Sequence, residues 1–197
     1  MRRPTVRRRL GVLIGVLLVV AAPAAAQPVT VATFADPAAD GSTPVFALSD
    51  DTLTGGWTGS GLDLATPFDN GLFPDATFEM TDLTVIDPDG ALSAGMIEFF
   101  EQSGDLILRI EFESGLLYAP FGFGASTLVG NNVSFSGPII DFDASEESFA
   151  FSFANQVTTP DGFTWTASFT SSAVPEPATL TLLGVGGLLM GAFRRRS

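Results

Sequence analysis

The chain has no cysteine, no histidine and no lysine among its 197 residues. Without cysteine, no disulfide can close a loop and no thiolate can hold a metal. Without histidine, imidazole metal ligands and the usual base of a serine hydrolase are missing. Without lysine, a lysine base drops out as well. Positive charge is scarce and segregated. Arg2, Arg3, Arg7, Arg8 and Arg9 open the chain, and Arg194, Arg195 and Arg196 close it, so Arg109 stands alone between them. All 22 acidic residues lie from Asp36 to Glu176, which leaves that stretch with a net charge of −21. Such a surface repels nucleic acid and anionic lipid, and no nucleic-acid partner is expected.

The two positive ends read as addresses. At the N-terminus the arginines precede an apolar stretch, Leu10 to Ala22, and Ala24 and Ala26 follow in an A-x-A arrangement. This is the layout of a secretory signal peptide over residues 1–26, cut by signal peptidase after Ala26 to leave Gln27 first. As a helix the apolar stretch would span only about 20 Å, short of a hydrocarbon core of roughly 30 Å, so cleavage is expected rather than anchoring. At the C-terminus, residues 174–197 fall into three parts. Each proline of Val174-Pro175-Glu176-Pro177 biases the residue before it toward extended backbone, so 174–177 reads as an exposed, stiff linker. Residues 178–193 are apolar and uncharged, a transmembrane helix of roughly 24 Å that is marginal for a bilayer. Gly184, Gly186 and Gly187 weaken it by about 1 kcal/mol each relative to alanine. Arg194, Arg195 and Arg196, in the basic tail 194–197, then hold that end in the cytoplasm.

The stretch "VPEPATLTLLGVGGLLMGAFRRRS" resembles the PEP-CTERM sorting signals, which join a Pro-Glu-Pro motif, a short transmembrane helix and an arginine-rich extreme C-terminus. The resemblance is confined to this tail. It implies recognition by an exosortase, a membrane-embedded cysteine protease and transpeptidase, with Pro175, Glu176 and Pro177 as the recognition element. It also implies a Gram-negative bacterium, often one that makes exopolysaccharide or biofilm matrix. The protein would be anchored in the membrane transiently, then delivered to the envelope, the outer surface or the extracellular matrix.

The body, residues 27–173, shows no sustained helical period. "DLILRIEFE" is the clearest strand, with Leu106, Leu108, Ile110 and Phe112 on one face and Ile107, Arg109, Glu111 and Glu113 on the other. Phe149, Phe151 and Phe153 share a face, as do Phe163, Trp165, Ala167 and Phe169. In "TFEMTDLTVI" the phase shifts at Leu83, which signals a bulge. The turn sequences "DPDG", "QSGD" and "TTPDG" separate these runs. Hairpins are expected between 77–86 and 92–101, between 92–101 and 106–113, and between 148–156 and 163–171. Regularly spaced short strands predict a single all-β domain, an antiparallel β-sandwich or a barrel-like closure. Seventeen of the 18 phenylalanines lie in this body and can supply its core. Residues 35–44 read as a loop or loose arm.

Chemistry in the body is sparse. Serine is plentiful, but no histidine or lysine can activate it. Two carboxylates could hydrolyse a glycoside at the right separation. Carboxylates and carbonyls also suit Ca²⁺, with Asp87 and Asp89, Asp141 and Asp143, and the pair Glu146-Glu147 as candidates. The EF-hand spacing fails around Asp87 and Asp89, so turn formation is the simpler role there. Trp57, between glycine-rich segments, could stack on a sugar or plug a strand end. The expectation is an exported, non-enzymatic envelope or matrix protein that needs no cofactor. A carbohydrate- or Ca²⁺-binding matrix module is the alternative, and a small glycan-active enzyme the third.

Overall fold

The computed structural model describes residues 27–38, 40–41, 43–118 and 127–175. The expected signal peptide with Ala24 and Ala26, the motif residues Glu176 and Pro177, the expected helix 178–193 and Arg194, Arg195 and Arg196 lie outside the described residues.

The described residues form thirteen strands and no helix. They are β1 (Val29–Phe34), β2 (Phe46–Ser49), β3 (Thr52–Trp57), β4 (Leu64–Thr66), β5 (Gly71–Phe73), β6 (Thr77–Met80) and β7 (Leu83–Thr84). There follow β8 (Ala91–Leu92), β9 (Gly95–Phe100), β10 (Leu106–Tyr118), β11 (Thr127–Ser136), β12 (Ala144–Thr159) and β13 (Gly162–Pro175). Neighbours run β12, β11, β10, β9, β6, β3, β2, β13, and β13 pairs back onto β12, which closes an eight-stranded antiparallel barrel. Of the two architectures expected, the barrel is the one formed. β13 is long enough to hold two partners on its other side. Gly162 to Trp165 pair with β2, whereas Phe169 to Ala173 pair with β1, which carries β4 and β5 as a side sheet.

The expected hairpins form. β6 pairs β9 through Thr77↔Phe100 to Met80↔Ile97, and Val85 bridges Leu92. The phase shift is a true interruption: Thr81 and Asp82 leave the ladder, and the Thr81 hydroxyl accepts the Met96 amide at 3.0 Å. β9 turns into β10 through Gln102–Gly104, where Gly104 takes a φ of 94°, a conformation that costs an L-side chain but not glycine.

An eight-stranded barrel is just wide enough for side chains to fill its interior. Here phenyl rings fill it. Phe151 lies 4.8 Å from Phe169, 4.9 Å from Phe46 and 5.9 Å from Phe78, centroid to centroid. Phe34 of β1 reaches Phe78, Phe99, Phe151 and Phe169 and so ties the side sheet to the barrel. Trp165 is buried and its Nε1 donates to Gln156 Oε1 at 3.1 Å.

One local expectation is corrected and a second is narrowed. Ile107 does not face solvent with Arg109, Glu111 and Glu113. The ladder slips between Leu106 and Leu108, and Ile107 is buried, its backbone carbonyl close against Gly137. Of the loop or loose arm expected over 35–44, the described residues form a loop that is held down. Pro37 and Ala38 are buried, and Asp36 Oδ1 accepts the Ala38 amide at 3.0 Å.

Candidate functional site

The segment expected to be the C-terminal signal begins within a barrel strand. β13 runs through Val174 to Pro175, so these two residues are strand rather than exposed linker. Ala173 is fully buried and pairs with Val29 of β1. Val174 pairs with Ser145 and Pro175 with Ala144, both at the start of β12. Ser145 Oγ reaches the Val174 carbonyl at 3.4 Å, and one step back the hydroxyls of Ser148 and Ser172 meet at 2.9 Å. Val29 lies two residues beyond Gln27, which is exposed, so both ends of the described chain emerge side by side.

The start of β12 is irregular. Its register against β13 shifts between Ser145 and Ser148, and Glu146 sits at a φ of 52°. Glu147 then turns its carboxylate to the Phe135 amide of β11 at 3.1 Å. Regular pairing between β11 and β12 is limited to Thr127–Val129 with Ala150–Ser152, so this side chain completes a hydrogen bond that the ladder leaves open. Burial pushes the Glu147 carboxyl above its ordinary range, and the Phe135 amide pulls partly the other way.

The calcium candidates are spoken for or scattered. Asp87 Oδ1 accepts the amides of Asp89 and Ala91, both at 3.0 Å, which is the role of a turn residue. Asp141 and Asp143 are exposed on the connection before β12, not on a strand. Among the described residues no group of three or more acidic side chains is placed to hold a metal ion. Trp57 is buried with its ring against Gly59, so its face is closed to a sugar. Its Nε1 has no hydrogen-bond partner among the described residues. Arg109 pairs with Glu98, Nε to Oε1 at 2.8 Å, and Glu98 lies opposite Glu79 across the next pair of strands.

One groove was not foreseen in the sequence. It measures about 200 Å³ and is lined by Phe68, Phe73, Asp69, Glu101 and Asp141 over a floor of Ile107. Phe68 is steadied by an edge contact with Phe142, centroids 5.4 Å apart. No spacing in the sequence could have found it, because its residues come from five separate connections and strands.

Residues 173–196 match the PEP-CTERM protein-sorting motif. No curated protein and no solved structure matches the chain. The matched span begins at Ala173, so its first three residues are those that β13 holds in the barrel. The motif implies export, processing by an exosortase and delivery to the cell envelope or exterior.

Proposed function

We propose that the chain is a non-enzymatic envelope or extracellular-matrix protein of a Gram-negative bacterium, exported by its signal peptide and cut by an exosortase at its C-terminal signal. The carrying observation is the sorting motif running on from a closed barrel. Phenyl rings fill the interior, which speaks against a buried active site. Glu79 and Glu98 stand on the outer face of the barrel, and Glu98 is engaged by Arg109, so this pair offers no cleft for glycoside hydrolysis. The exterior is polar where an outer-membrane barrel is greasy: Glu79, Glu111, Glu113, Ser148 and Ser152 are exposed on barrel strands. This favours an aqueous destination for the body. Signal peptidase and the exosortase are its processing partners, with the membrane holding it through the C-terminal helix before the second cut.

Mass spectrometry of the mature protein from its native host tests the reading. The expected N-terminus is Gln27, and the expected C-terminus lacks Arg194, Arg195 and Arg196. Exported material that keeps Met1 or the terminal arginines would sink it.

The groove favours a second reading, a module that binds a neutral glycan. Phenyl faces stack on sugar C–H groups and carboxylates accept from hydroxyls, while Asp69, Glu101 and Asp141 repel acidic polysaccharide. Titration of the body with neutral oligosaccharides, with Phe68→Ala as control, separates the two readings. Binding lost in that variant promotes the second.

A further inference from the structure

We propose that the barrel itself guards the processing site: β12 and β1 compete with the exosortase for the residues that lead into the Pro-Glu-Pro motif. The proposal rests on the exosortase reading above and adds how the enzyme gains its substrate. Proteins that take up an extended segment do so through main-chain hydrogen bonds along its edges. In the folded body one edge of each residue is taken. Ala173 is paired to Val29, and Val174 and Pro175 are paired to Ser145 and Ala144. The enzyme therefore gains both edges of residues 173–175 only when the end of β13 peels from its neighbours.

The strand end is graded for such peeling. Pro175 has no amide hydrogen and can give its pair only a carbonyl. The Ser145 hydroxyl meets the Val174 carbonyl at a long 3.4 Å. One residue further in, Ala173 is fully buried, and Ser172 meets the Ser148 hydroxyl at 2.9 Å. Strand ends with few buried contacts open at low cost, and cores do not. The tip frays readily, whereas longer peeling must break the barrel where β13 joins β12 and β1. Processing is thereby tied to the state of the body: a chain whose barrel has not closed offers the motif freely, and a closed barrel offers it sparingly.

The test compares processing of full-length chains by pulse-chase in a host that processes the wild type. The first variant inserts about six Gly and Ser residues between Ala173 and Val174, a flexible reach of roughly 13 Å that leaves the motif intact. Its expected processing is roughly tenfold faster, since the motif no longer waits on fraying. The second variant is S148C/S172C. The chain has no other cysteine, so an oxidising compartment can form only this disulfide. It should slow processing at native spacing, recover on reduction, and have no effect once the linker is present. Equal rates for wild type and the inserted chain, or wild-type processing of the disulfide-bonded chain, would overturn the guarding role. If Glu176→Ala leaves processing of both the wild type and the inserted chain unchanged, the exosortase reading falls and the guard with it.

Discussion

Phe151 touches the rings of Phe34, Phe46, Phe78, Phe149 and Phe169 and is fully buried, whereas Ser152 beside it is exposed. Phe151→Ala should therefore cost about 3–5 kcal/mol in denaturant melts, because rings held from several strands cannot collapse into the vacated space. Ser152→Ala should cost less than about 0.5 kcal/mol. Equal costs would contradict the inward phase of β12. Glu147 obeys a different logic. Its folded-state pKa is raised by burial, so the group favours the folded state when protonated, and that contribution is lost as pH rises through the raised value. A glutamine in place of Glu147 would keep an acceptor for the Phe135 amide without the partly buried charge. Glu147→Gln should match wild type in acid and become the more stable of the two as pH rises through the carboxylate range toward neutrality. Thermal melts across that range check it, and a variant that loses ground with rising pH would show that the charge is stabilising. Glu147→Ala should be the worse change, by about 1 kcal/mol, since it leaves the Phe135 amide without its acceptor.

Strands differ in how plainly they announce themselves. β9, β10, β12 and β13 were legible because apolar and polar residues alternate over long stretches, as in Phe149, Phe151 and Phe153 against Ser148 and Ser152. β1 to β5 were not. They are short and rich in Thr and Gly, and β3 carries Gly55 and Gly56 where alternation would need side chains. Gly55 is small because the Phe46 ring lies where its Cβ would be. β11 hid for the same reason. Its inward position at Gly130 carries no side chain, and Asn132 breaks the period with a φ of 51°. Closure itself was beyond the sequence, since it depends on which distant strands pair, β12 with β13 on one edge and with β11 on the other. Of the candidate site, the C-terminal signal was readable from its three-part order. That the motif begins inside β13 was not, because proline beside valine looks like linker until β12 is found alongside. Gly130 tests the seam. A Cβ there would lie 2.4 Å from the Phe149 ring, which sits tilted against Phe112 with centroids 5.2 Å apart. Gly130→Ala should cost about 1–3 kcal/mol by overpacking. Phe149→Leu in the same chain should recover part of it in denaturant melts. A neutral Gly130→Ala would mean that the seam between β11 and β12 gives way easily.

The acidity of the whole molecule has a local explanation. Part of it is turn chemistry: Asp36, Asp69, Asp75 and Asp87 each accept backbone amides near a turn or loop, at Ala38, Gly71, Gly61 and Asp89 respectively. A short carboxylate is a good local acceptor, and many short strands need many turns. The consequence is global. Arg109 faces 21 carboxylates that precede Glu176, and on a body this size many of them fall within a Debye length, about 8 Å at physiological salt. Their mutual repulsion opposes compaction. Screening should therefore raise the melting temperature smoothly as NaCl is added, and Mg²⁺ and Ca²⁺ should act alike at matched ionic strength. A specific site would behave otherwise, because Ca²⁺ accepts the irregular oxygen shell that loop carboxylates provide, while Mg²⁺ demands a tight octahedron. It would add RT ln(1 + [L]/Kd) for Ca²⁺ alone. Asp87 Oδ1 is already bound to two amides, and Asp141 and Asp143 stand exposed on one connection, so screening is the expected outcome. A rise in melting temperature selective for Ca²⁺, and removed by Asp141→Asn with Asp143→Asn, would place a cation beside the groove that Asp141 lines and shift the balance toward a ligand-binding body.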